Sequence, residues 1–235
     1  MGACPSAQAT VAEVDLGAFA HNLRVLRQQV SPGCRLMAVL KADAYGHGAT
    51  VLAATAVAQG ITHLAVACCQ EGIALRQAGI SGTIVVLGPL WPEEAEAVVA
   101  YRLTPVLASL ADGAALNQAA GRQRRRCPVH VNIDTGMGRL GLVPQVLPTF
   151  LAQLRTWRWL RLEGLMTHLA TADAPDPQGV QQQLATFKRV RALFAAQGWQ
   201  PPLVHVANSA ALFRYPRKPR HPGAPGHCPL RHLSL

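Results

Sequence analysis

Short apolar runs recur along this chain, each separated from the next by a stretch with helical spacing, and that alternation limits the possible fold more than any other feature. The runs begin at Leu36, His63, Thr83, Thr104, Val129, Leu160 and Leu203. Ahead of the first, Asp15 is placed to cap a helix reaching about Val30, with Leu16, Phe19, Leu23 and Leu26 on one face. Further helices are expected over 50–58, 71–77, 91–101, 110–120, after Pro144, and over 180–196. Gly60 and Gly79 stand as stops, and Pro92 sits in a first turn. No hairpin turn flanks the strands. Strands separated by helices form parallel βα units. The expected architecture is an α/β barrel of the (β/α)8 type, which wants eight strands and roughly 250 residues. Seven strands in 235 residues fall one short. No linker or internal repeat beyond the βα period divides the chain.

Half of the residues are hydrophobic and 14% are charged, so the chain can bury a large core. Its net charge of +10 raises the question of nucleic acid. The basic residues are scattered, apart from Arg122–Arg126 and the tail from Arg214, so no nucleic-acid partner is expected. No apolar run approaches the roughly 20 residues of a membrane span. The six cysteines lack zinc-ligand spacing and no secretory leader precedes them, which points to free thiols in a cytoplasmic protein. Residues 1–9 read as a loose end.

Four strand ends carry chemically capable residues. The first holds Lys41, Tyr45 and His47; the second, Asp134 to Gly141, holds Arg139; the third holds His168; the fourth holds Asn208 and Ser209. Parallel sheets place their chemistry at the carboxyl ends of strands, so these groups can converge at one mouth. A partly desolvated lysine there is a candidate for covalent attack on a carbonyl. Asn208 and Ser209 open a short helix, whose N-terminal amides can hold phosphate. An amine facing a phosphate cradle is an arrangement for pyridoxal phosphate. Each residue alone has a plainer reading: a solvated loop lysine, a rim histidine, a helix cap. Their joint placement carries the argument. No histidine pair has zinc spacing, so no metal is expected.

A rival lies in the same loops. Gly136, Gly138 and Gly141 match a dinucleotide fingerprint, with Glu163 about 20 residues on. Against it, Asp134 and Thr135 separate strand from glycine, and such a fingerprint normally opens the first βαβ unit.

The segments AVLKADAYGHGA, NIDTGMGRLG, THLATAD and HVANSAA resemble, in order and spacing, those of bacterial alanine racemases, over about residues 10–215. The resemblance implies a pyridoxal 5'-phosphate-binding (β/α)8 barrel followed by a C-terminal β-domain, in a head-to-tail homodimer interconverting L- and D-alanine for peptidoglycan synthesis. It implies that Lys41 is the Schiff-base lysine and the base on the D-alanine face. Tyr45, Asn208 and Ser209 would contact or support the cofactor phosphate, and His168 would lie beside the pyridine ring. Arg139 would reach the cofactor phenolic oxygen and the substrate carboxylate. Asn132 stands where many relatives carry a carbamylated lysine that orients this arginine, and a bound anion is the expected substitute. The alternative on the same barrel is a non-catalytic, single-domain pyridoxal-phosphate-binding protein of cofactor homeostasis.

After Tyr215 the resemblance stops. Residues 216–235 have no apolar period and are rich in proline, histidine and arginine, so a disordered basic tail is expected, with the eighth strand and the C-terminal domain missing. Permitted codons from Gly223 onward, read one base later, spell Val-Arg-Pro-Gly-Ile-Ala-Leu-Tyr-Gly, the next motif of the resemblance. A shifted frame is therefore the expectation. It would remove an arginine that pairs with the pyridine nitrogen, falling where Ala224 stands. It follows that the barrel stays open and that the polypeptide does not racemise alanine.

Overall fold

All seven expected strands form, and an eighth joins them. The computed structural model describes residues 12–215 and 228–234. The elements run α1 (Leu16–Gln28), β1 (Arg35–Val39), α2 (Lys41–Gly46), α3 (Ala49–Ala58), β2 (His63–Val66), α4 (Cys69–Gln77) and β3 (Thr83–Val86). They continue with α5 (Ala95–Ala100), β4 (Thr104–Leu107), α6 (Leu110–Arg122), β5 (Cys127–Asn132), α7 (Leu147–Leu154) and β6 (Leu160–Met166). The last are α8 (Gln178–Ala196), β7 (Leu203–His205), α9 (Ser209–Arg214) and β8 (Cys228–Ser234). Asp15 caps α1 as expected, accepting the N–H groups of Gly17 and Ala18.

The strands form a closed parallel barrel in sequential order. The barrel class is as expected, but the missing eighth strand is corrected. β8 pairs with β1 from Arg35↔Leu230 to Val39↔Ser234, and with β7 from Leu203↔Cys228 to His205↔Leu230. The physical reason is that β1 and β7 would otherwise expose rows of backbone donors and acceptors, a template for any extended segment. Strand pairing uses the backbone, so the absence of an apolar period did not forbid it. The expected disorder is likewise corrected over 228–234; residues 1–9 and 216–227, including Ala224, lie outside the described residues.

Strands β1 to β7 are buried on both sides, as parallel barrels require. In β1, Leu36 and Ala38 face the helical layer, while Met37 and Val39 join Ala65, Val85, Val106, Met166 and Leu203 inside the barrel. Side chains alternate with a period of two. The inward series Met37, Val39 therefore leads to Lys41 at the carboxyl mouth. Val129 and Val131 of β5, and Ile133 just beyond it, pack outward, leaving His130 and Asn132 to the interior. His130 Nδ1 lies 2.8 Å from His205 Nε2, with both rings fully buried.

Candidate active site

Lys41 begins a turn that the sequence reading did not foresee. Ala42, Asp43, Ala44 and Tyr45 all have left-handed backbones, with φ from 51° to 56°. For residues with a Cβ, this conformation costs roughly 1–2 kcal/mol each. Surrounding bonds hold it. Ala44 N–H donates to Leu40 O at 2.9 Å, and Gly48 N–H to Asp43 O at 3.0 Å. The Asp43 carboxylate accepts Ala49 N–H at 2.7 Å. Glu71, from α4, accepts Ala42 N–H on one oxygen and Ala67 N–H on the other, each at 2.7 Å. Lys41 Nζ stands 5.8 Å from the centroid of the Tyr45 ring.

The loop after β5 is held as tightly. The Asp134 carboxylate accepts the N–H groups of Gly136, Met137 and Gly138 at 2.9–3.1 Å. Partial burial pushes its pKa up, but these donors outweigh that and hold it below the usual range. The chain then returns to β5: Leu142 N–H meets Asn132 O at 2.8 Å, and Asn132 Nδ2 donates to Leu140 O at 2.7 Å. Gly141 is needed here, because φ is +132° and a Cβ would lie 2.8 Å from Asp134 N. No helix opens at Gly141, and α7 starts only at Leu147. The glycines thus close a loop and do not build the strand-to-helix turn of a dinucleotide fingerprint.

Lys41, Arg139, His168 and Asn208 line one cavity of about 360 Å³ at the carboxyl mouth. Val39, Leu87 and Met166 supply apolar wall, and Asn132 reaches it from β5. Tyr45 stands beside Lys41, and Ser209 opens α9 next to Asn208; neither lines the cavity. Burial, then the charges of Arg139 and Lys41, hold the His168 imidazole below its ordinary pKa. Both effects favour its neutral form. Asn208 Oδ1 is spent on Ala211 N–H at 2.9 Å, as a helix cap.

Asn132 is more telling than its sequence position suggested. Its Nδ2 is committed to Leu140 O, whereas its buried Oδ1 has no hydrogen-bond partner among the described residues. The unpartnered atom is an acceptor, so it suits a donor such as a guanidinium. A larger cavity, about 740 Å³, lies at the amino-terminal end of the barrel beside Arg35 and His63, away from the converging groups. No group of three metal-ligating side chains occurs among the described residues, and no helix there is long and apolar enough to cross a membrane.

An amine at the end of a first barrel strand, met by a guanidinium and an imidazole from later strands, defines a (β/α)8-barrel protein with a cavity of small-ligand size at its carboxyl mouth. Comparison with known proteins narrows the class. The family described as alanine racemase, N-terminal domain, matches residues 14–227. The alanine racemase of Symbiobacterium thermophilum is 43% identical over 207 residues, which are 88% of this chain and 55% of that protein. That of Geobacter sulfurreducens is 42% identical over 207 residues, 87% of this chain and 54% of the relative. The solved alanine racemase of Clostridium difficile 630 in complex with cycloserine superposes with a TM-score of 0.86 at 30% identity, covering 94% of this chain and 58% of that one. The chain belongs to the alanine racemase N-terminal-domain family, and it spans about half the length of the curated relatives it matches.

The sequence reading missed Glu71 and Gln183, which shape the site without lining it. Gln183 of α8 holds the loop that carries His168. Glu71 also accepts Ala67 N–H four residues before it, but its bond to Ala42, like those of Gln183 to Thr135 and His168, joins segments far apart in the chain and leaves no local signal.

Proposed function

We propose that this barrel is the cofactor-bearing half of an alanine racemase, holding pyridoxal 5'-phosphate on Lys41 and, in the assembled enzyme, interconverting L- and D-alanine for peptidoglycan synthesis in the cytoplasm. The convergence of Lys41, Arg139, His168 and Asn208 on one cavity carries this reading. The residues suit the cofactor. A volume of about 360 Å³ falls within the range of small-ligand pockets. Apolar walls beside an amine suit a planar ring with a tethered aldehyde. The unpartnered Asn132 Oδ1 in the wall favours a polar occupant or a donor beside it.

When bound, pyridoxal phosphate supplies an electron sink next to the substrate's amino group. The chain's residues do the rest. Lys41 Nζ tethers the cofactor and moves a proton on one face of the substrate. Arg139 binds the substrate carboxylate. His168, held toward its neutral form, would lie beside the cofactor ring. Tyr45, Asn208 and Ser209 support the phosphate. Asn132 Oδ1, unpartnered in the same cavity wall, is available to accept from the Arg139 guanidinium when the site is filled. Racemisation needs a second base on the opposite face. In the family reading this is a tyrosine of the C-terminal domain in a homodimer.

The test is reductive trapping. Purified chain is equilibrated with pyridoxal phosphate, reduced with borohydride, digested and analysed by mass spectrometry. The label should sit on Lys41 and vanish in Lys41→Ala. A label on another side chain, or none on folded protein, would overturn the assignment.

A further inference from the structure

Two loops that each deliver a cavity residue are tied together from outside the cavity. Gln183 lies on α8 and is 5% exposed. Its Nε2 donates to Thr135 Oγ1 at 3.1 Å and to the carbonyl oxygen of His168 at 2.9 Å. Its Oε1 accepts Ala170 N–H at 2.9 Å. Thr135 Oγ1 shares a further hydrogen bond with Thr167 Oγ1 at 2.7 Å, and Thr167 is buried. The stem of Gln183 also packs under the glycine loop, within 3.6 Å of where a Cβ on Gly136 would stand.

The chemistry of the side chain matters. A carboxamide offers two donors and an acceptor on one flat head, and all three functions are used here. A carboxylate of the same shape lacks the donors, and an apolar isostere lacks everything. Burying an amide this deeply is unfavourable unless its hydrogen bonds are made, so the three contacts stand or fall together.

We propose that Gln183 is a positioning residue that fixes the loop of Arg139 and the loop of His168 relative to each other, and so sets the shape of the cavity. What the cavity binds rests on the function proposed above; the clamp itself does not. Gln183 acts through the His168 backbone and through Thr135.

The experiment follows the His168 imidazole by NMR titration of the protein without added ligand, its resonance identified by its loss in His168→Asn. The variants are Gln183→Met, Thr135→Val, and Val190→Ala as a control elsewhere on the buried face of α8. Freed from the clamp, the ring should gain water and leave Arg139 and Lys41. Its midpoint should then rise toward the ordinary value of about 6.5 in Gln183→Met, and by less in Thr135→Val. Val190→Ala should lower the unfolding temperature without moving it. Pyridoxal phosphate should bind Gln183→Met about tenfold or more weakly, as for other groups that orient a ligand's contacts. A folded Gln183→Met with an unmoved His168 midpoint would sink the proposal, as would an equal rise in Val190→Ala. If Gln183→Met does not fold, Thr135→Val decides: a rise supports the clamp and no rise overturns it. Because the titrations need no cofactor, failure of the cofactor assignment would leave them intact.

Discussion

The Glu71 carboxylate accepts the backbone N–H of Ala42, the residue after Lys41, at 2.7 Å. Its other oxygen takes Ala67 N–H at the same distance. One side chain from α4 therefore joins the ends of β1 and β2 and braces the left-handed turn that starts at Lys41. Because two N–H donors face it, only a group with two acceptor oxygens satisfies both.

Glu71→Gln turns one acceptor toward a backbone N–H as a donor. One bond is lost and two donors face each other. The expected loss is about 1–3 kcal/mol in the urea-unfolding free energy at neutral pH. Glu71→Ala should cost at least as much, and an unchanged Glu71→Ala would remove the bracing role.

His63 gives the fold a pH dependence. Burial, reinforced by the charge of Arg35, pushes its imidazole pKa down from 6.5 to about 4. The unfolded chain binds a proton there below pH 6.5 that the folded chain does not take up until about pH 4. The stabilisation is complete above pH 6.5, is lost progressively as pH falls from 6.5 to 4, and does not change further below that. The total is on the order of 3 kcal/mol. Urea midpoints measured from pH 7.5 to pH 4 should fall in the native chain and fall less in His63→Gln. Parallel slopes would show that His63 is not the group responsible.

Gly164 makes room for the buried histidine pair. A Cβ there would stand 2.5 Å from the His130 ring, which is already packed against His205. Gly164→Ala should therefore destabilise the barrel by about 1–3 kcal/mol, the cost of overpacking a filled core. Thermal unfolding of the purified variant measures this, and an unchanged midpoint would mean that the ring has space to give.

β8 can be tested by removing it. Deleting residues 228–235 leaves β1 and β7 with unpaired edges. The shortened chain should self-associate in light scattering and lose its cooperative unfolding transition. A monomeric, cooperatively unfolding deletion product would show that the eighth strand contributes little.

The sequence by itself determined the seven strands from β1 to β7 and their parallel direction. Each of these strands buries both faces, and segments of helical periodicity separate them, so local pattern carries the information. It also determined which strand ends carry Lys41, Arg139, His168 and Asn208, because residue type and strand phase are both local. Tertiary structure alone decided the left-handed turn at Ala42–Tyr45, the closing strand at Cys228–Ser234, and the roles of Glu71 and Gln183. Glu71 acts on backbone 29 residues away and Gln183 on a hydroxyl 48 residues away. Such hydrogen bonds depend on where distant segments come to rest, and the closing strand answers to unpaired backbone on its neighbours. Neither condition leaves a mark on the order of side chains nearby.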